Sequence, residues 1–173
     1  MSLWFVGNAI APSLRARWLL SGGEIGWLTT AVQLGFVAGT ALAAMLNLAD
    51  IFPSRFYFAA SALLASLANA AFGAAPSFAA ALGWRFATGA CLAGVYPPAM
   101  KMAATWFRQA RGLAIGTIVA ALTVGKATPY LLHALPAATP AEVVLAASGA
   151  AALAVRYAGI QVHIAYSSHM WPR

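Results

Sequence analysis

LGWRFATGACLAGVYPPAMKMAATWFRQARG, residues Leu82–Gly112, is the stretch whose reading decides the fold. It is a hydrophobic run with one arginine, Arg85, set among apolar residues, and it ends in a basic segment containing Lys101, Arg108 and Arg111. A second hydrophobic run follows at once. An arginine inside a membrane helix costs about 2.5–3.5 kcal/mol on insertion scales, so its surroundings must compensate for it. The Tyr96-Pro97-Pro98 step predicts a kink, because proline lacks the N–H and crowds the preceding turn. Trp106 and Phe107 read as anchors at the membrane interface.

The rest of the chain repeats this character. Of 173 residues 62% are hydrophobic and only 8% charged, against about 25% charged in an average soluble domain. So few charges could not cover a soluble surface, and the expectation is an all-α, polytopic transmembrane helix bundle. The net charge of +7 comes from residues placed singly between hydrophobic runs. That pattern anchors a chain at the cytoplasmic membrane face and does not make a nucleic-acid patch. Cys91 is the single cysteine, which excludes an intrachain disulfide, and it reads as a small packing residue.

About six spans are expected, at residues 2–14, 25–49, 56–72, 78–106, 112–135 and 141–157. Together they form one bundle over residues 2–157. The first is short for a crossing, which needs about 20 residues, and reads as the second half of a helix whose beginning is missing. It lacks the basic start and the cleavage site of a signal peptide. Arg15, Arg17 and Glu24 mark the loop that follows. In the second span Gly35 and Gly39 form a G-x-x-x-G stripe, continued by Ala43, that allows close helix approach. The last residues, 158–173, lose the alanine-rich character and hold two of the three histidines. They read as an irregular tail foreign to the fold, as a shifted reading frame would produce.

Charge sets the expected orientation. With a cytoplasmic amino end, the loops at 50–55 and 107–111 and the tail carry Arg55, Arg108, Arg111 and Arg156 inside. The outward loops then keep only Arg15 and Arg17. The expected location is the inner or plasma membrane.

Several motifs carry a family resemblance. Arg85-x-x-x-Gly89 resembles the fourth-helix motif of the major facilitator superfamily, with Thr88 where that pattern often has glutamine. Asp50 resembles the aspartate of its loop between helices two and three. There the match is poor: Leu46, Ile51 and Pro53 replace expected residues, and Arg55 alone supplies a nearby arginine. The run TWFRQARGLAIG, Thr105–Gly116, is similar to the junction between helices four and five. The small-residue face of 112–125 with Pro129 is a loose version of the fifth-helix motif.

The resemblance implies one half of a 12-helix fold, with substrate held near the bilayer midplane between two halves that rock in alternating access. It implies a secondary transporter of a small solute, an organic anion being the class that Arg85 and Lys126 suit. The bilayer, a coupling ion, and a missing second half or a homodimer partner are the implied associates, and the chain by itself is expected to be inactive. The alternative class is a non-transporting membrane scaffold or assembly subunit.

Three residues are candidates for substrate binding. Arg85 either faces the path or snorkels to the surface as an anchor. Lys126 is a second substrate cation, a partner for a carboxylate in the other half, or a snorkelling lysine. Gln33 either faces a cavity or bonds between helices. Asp50 and Arg55 are conformational candidates, with a weak surface pair as the other reading, and Gly89 and Arg111 join them through the resembled motifs. No catalytic residue is expected, since paired carboxylates, phosphate loops and G-x-S-x-G are absent, and the chain does not read as an enzyme. His133, His163 and His169 lack companions at ligand spacing, so neither metal nor cofactor is expected.

Overall fold

The computed structural model describes residues 2–106, 111–134 and 139–153. The readings made for Phe107, Arg108, Arg156, Tyr157, His163, His169 and the tail 158–173 lie outside the described residues.

All regular structure among the described residues is helical. Helices α1 (Ser2–Ala9) and α2 (Ala11–Trp18) carry the first hydrophobic stretch past Leu14. They are divided at Ile10, two residues ahead of Pro12, whose nitrogen has no hydrogen to continue the ladder. Leu19 ends α2 in the left-handed conformation. Ser21 then caps α3 (Gly22–Met45): its Oγ accepts from the Glu24 backbone N–H, and the Glu24 carboxylate accepts from the Ser21 N–H at 2.8 Å. This capping box fixes where the long helix starts. After α3 come the single turn α4 (Leu48–Ile51) and α5 (Ser54–Gly73). Phe52 is extended before Pro53, as the proline ring requires of its predecessor.

Ser77 caps α6 (Phe78–Leu92), which is followed by α7 (Tyr96–Trp106). The interruption falls at residues 93–95, one turn before the prolines expected to cause it. Pro97 and Pro98 sit in the first turn of α7, where a missing N–H is tolerated, and the carbonyls they leave without donors belong to Ala93 and Gly94. Next are α8 (Arg111–His133), which stays helical through the buried Pro129, and α9 (Pro140–Leu153).

Among the described residues, three helical stretches are long and apolar enough to cross a membrane: Gly22–Met45, Ser54–Gly73 and Phe78–Met102, the last running through α6 into α7. Ile115–Leu131 and Pro140–Leu153 are shorter apolar helices. Large apolar side chains point outward from them, including Trp27, Leu34 and Met45 on α3 and Leu113, Val124 and Leu131 on α8. Such a surface suits lipid or another apolar bundle and not water.

The tightest packing is between α3 and α6. A Cβ on Gly35 would collide with the Phe86 carbonyl, and one on Gly89 with the Val32 carbonyl. The glycine stripe of α3 therefore faces α6, and Gly89 returns the contact. Helix α5 packs on the neighbouring side of α6, while α1 lies against α3 and α8. A core of Val6, Ile10, Leu28, Phe72, Val143 and Val144 joins α1, α3, α5 and α9.

Candidate functional site

Arg85 lies two turns into α6 and is completely buried. Its guanidinium donates from Nη1 to the Leu3 carbonyl at 2.8 Å and from Nη2 to the Trp4 carbonyl, both on α1. Nε donates to the Leu28 carbonyl of α3 at 3.4 Å. The Phe72 ring of α5 packs on the guanidinium, 5.4 Å from its carbon to the ring centroid. One side chain thus joins four helices. The space for it is made by Gly7, where a Cβ would stand 3.1 Å from Arg85 Nε. Arginine suits the task because its fork holds several donors in a fixed plane and its charge is weakly hydrated.

No carboxylate compensates this charge. The chain has only three acidic residues, and each is engaged at a helix end. Glu24 is bound to Ser21, Glu142 accepts from the Thr139 N–H at 2.7 Å, and Asp50 pairs with Lys101 at 2.8 Å. The desolvated guanidinium relies on backbone dipoles and an aromatic face, which favour a cation in a low-dielectric interior.

The opposite face of α1 is more open. Phe5 and Asn8, one turn apart, are half-buried there, whereas Leu3, Val6, Gly7 and Ile10 point into the core. Across from Phe5, the exposed Lys126 of α8 places Nζ 5.5 Å from the ring centroid. Asn8 Oδ1 accepts a 2.6 Å hydrogen bond from Thr29 Oγ1 on α3. Gln33 follows Thr29 by one helical turn and is exposed. Lys126 and Gln33 therefore belong to helices that flank the open face of α1, and Arg85 lies behind that face.

The conformational candidates are dispersed. Asp50 in α4 bonds Lys101 of α7, and Arg55 lies 4.8 Å from the ring of its neighbour Phe56. Gly89 is buried in the α3–α6 contact, and Arg111 opens α8.

Besides the Asp50–Lys101 and Thr139–Glu142 pairs, sequence reasoning missed three polar links. The Ser21–Glu24 capping box was visible as S-x-x-E before an apolar run. The Asn8–Thr29 bond had no signal beyond two polar residues in apolar stretches. The third link is Asn69, fully buried on α5, which donates from Nδ2 to Ser148 Oγ of α9 at 3.0 Å, while its Oδ1 has no hydrogen-bond partner.

Comparison with known proteins agrees with this helical membrane architecture. The niacin transporter NiaP of Acinetobacter baylyi (strain ATCC 33305 / BD413 / ADP1) is 38% identical over 95 residues, which take in 54% of this chain and 21% of that protein. The chain therefore aligns with far less than two thirds of this relative's length. No solved structure matches the chain. The sequence profile of the Major Facilitator Superfamily matches residues 1–160, and with that match over nearly all of its length, the chain belongs to the Major Facilitator Superfamily of membrane transporters.

Proposed function

We propose that this chain forms one helix bundle of a secondary-active transporter that moves a small organic anion by alternating access. The observation that carries the reading is Lys126. It is an exposed cation on an apolar helix, and all three acidic residues of the chain are engaged elsewhere. A lysine inside a membrane bundle without a carboxylate partner is poised for an anionic ligand. The similarity to a niacin transporter supports the class, because niacin is a carboxylate at neutral pH.

In this reading Lys126 and Gln33 contact substrate from the two helices that flank α1. Arg85 acts one layer behind them by holding α1 against α3 and α6, since its donors end on backbone carbonyls. The Asp50–Lys101 pair ties α4 to α7 on what the charge pattern makes the cytoplasmic side, and its opening accompanies the change of access. A second bundle, supplied by further chain or by another copy, closes the other wall of the path. The spans of this chain hold no carboxylate placed to carry a proton, so a coupling proton would use a group on that second bundle.

Equilibrium binding of radiolabelled niacin to the purified chain in lipid nanodiscs tests the proposal. Wild-type protein binds, Lys126→Gln weakens binding by roughly tenfold to a hundredfold, and Lys126→Arg retains most of it. Equal binding by wild type and Lys126→Gln, or no binding by the wild type, overturns the assignment.

A further inference from the structure

We propose that the bundle carries a binding site for one glycerophospholipid, in which Arg17 holds the phosphodiester and a cavity between α2, α5 and α9 takes the first part of an acyl chain. The cavity has a volume of about 190 Å³. Its walls come from α2, the end of α5 and the start of α9. Helix α5 begins soon after Asp50 and ends at this cavity, so the site lies at the far end of a spanning helix from the Asp50–Lys101 pair. The ends of spanning helices sit at the level of lipid headgroups.

The lining has two characters. Ile10, Leu14, Phe72 and Val144 are buried and make an apolar floor, and the Phe72 ring also packs on Arg85. Ser13 is half-buried, while Arg17 and Thr139 are exposed, and these three supply polar groups at the rim. Such a cavity fits an amphiphile, with hydrocarbon on the floor and a polar head at the rim. A soluble anion bound at the rim would leave the apolar floor without a partner.

Charge selects the head. The Arg17 guanidinium carbon lies 5.4 Å from the Trp18 ring centroid, a contact that holds the side chain beside the cavity. A guanidinium fork matches the oxygens of a phosphate group. Thr139 Oγ1 accepts from the Glu142 N–H at 3.3 Å and keeps its own hydrogen to donate. The Glu142 carboxylate is itself engaged by the Thr139 N–H at 2.7 Å. An indole next to an arginine is also a pair that settles at the membrane interface.

Photolabelling of the full chain in maltoside detergent tests this, with phosphatidylglycerol and diacylglycerol probes that carry the same diazirine near the head of one acyl chain. Phosphatidylglycerol labels the peptides holding Ser13–Trp18 and Thr139–Val144 about fivefold more than diacylglycerol does, the factor that one surface cation contributes towards an anionic headgroup. Arg17→Gln lowers that labelling to the diacylglycerol level. Arg15→Gln leaves it unchanged, because Arg15 stands on the other flank of α2, beside a separate recess with Pro12 and Leu19. Ala141→Phe fills the cavity and removes labelling by both probes. The proposal is overturned by equal labelling of wild type with the two probes, by equal falls in Arg15→Gln and Arg17→Gln, or by labelling that survives Ala141→Phe. Labelling spread evenly over the outward apolar faces would mean annular lipid only, and overturns it as well.

Discussion

Arg85 and Lys126 are cations in two apolar helices, α6 and α8, and the protein houses them differently. Arg85 sits where α1, α3, α5 and α6 converge, with no exposed surface, three backbone acceptors and an aromatic face. Lys126 is an exposed residue of α8 with the Phe5 ring of α1 beside its ammonium. A buried charge whose three nitrogens each donate to a carbonyl can hold helices together, and its burial leaves it no surface open to a ligand. An exposed charge that among the described residues meets only a ring keeps its donors. The two are separated by the single helix α1, one face of which serves the core and the other the open side.

The contrast rests first on how closely α3 and α6 approach, because that closeness brings Arg85 to the Leu28 carbonyl. Gly89→Val is the most severe way to break it. Its side chain would enter the space of the Val32 backbone, and the helices must separate. The expected loss is about 3 kcal/mol or more, since overpacking against rigid backbone has no soft side chain to displace. Fluorescence-detected size-exclusion chromatography should show little or no monodisperse protein, and a wild-type profile would refute the close approach.

Arg85→Lys probes the buried cation itself. Lysine keeps the charge but cannot reach three carbonyls on two helices with a planar fork. The loss of charge-assisted bonds should lower stability by about 2–3 kcal/mol, read as a shift in the thermal unfolding midpoint in detergent. Wild-type stability would mean that the carbonyl contacts do not hold α1.

Lys126→Gln should have the smallest effect on folding. An exposed side chain outside the buried core changes stability within about 0.5 kcal/mol, even while ligand binding falls. A large loss of thermal stability would show that Lys126 is structural, and the contrast with Arg85 would collapse.

The site was less legible in sequence than the fold class. Arg85 invited two readings, facing a path or snorkelling to the surface, and its place among the carbonyls of Leu3, Trp4 and Leu28 differs from both. Hydropathy is a property of one segment, whereas the end of a long flexible side chain goes where neighbouring segments leave room. That room comes from Gly7, nearly eighty positions away in sequence, which nothing in its own neighbourhood marks out. Asp50 was read with Arg55, its near neighbour in sequence, yet its carboxylate pairs with Lys101, 51 residues on. The proline break was misplaced by one turn because a proline disrupts the carbonyls behind it and leaves its own position helical.

What the sequence determined by itself was local in origin: apolar runs of membrane length, the small-residue stripe of α3, the motifs around Arg85 and the 105–116 junction. These follow from burial, helical period and the absence of a side chain on glycine, all of which act within one segment. The tertiary structure alone decided which helix meets that stripe, which cation is sealed and which is open, and where each acid finds its partner. Those outcomes depend on contacts between segments far apart in the chain, whose geometry is set only when the helices pack.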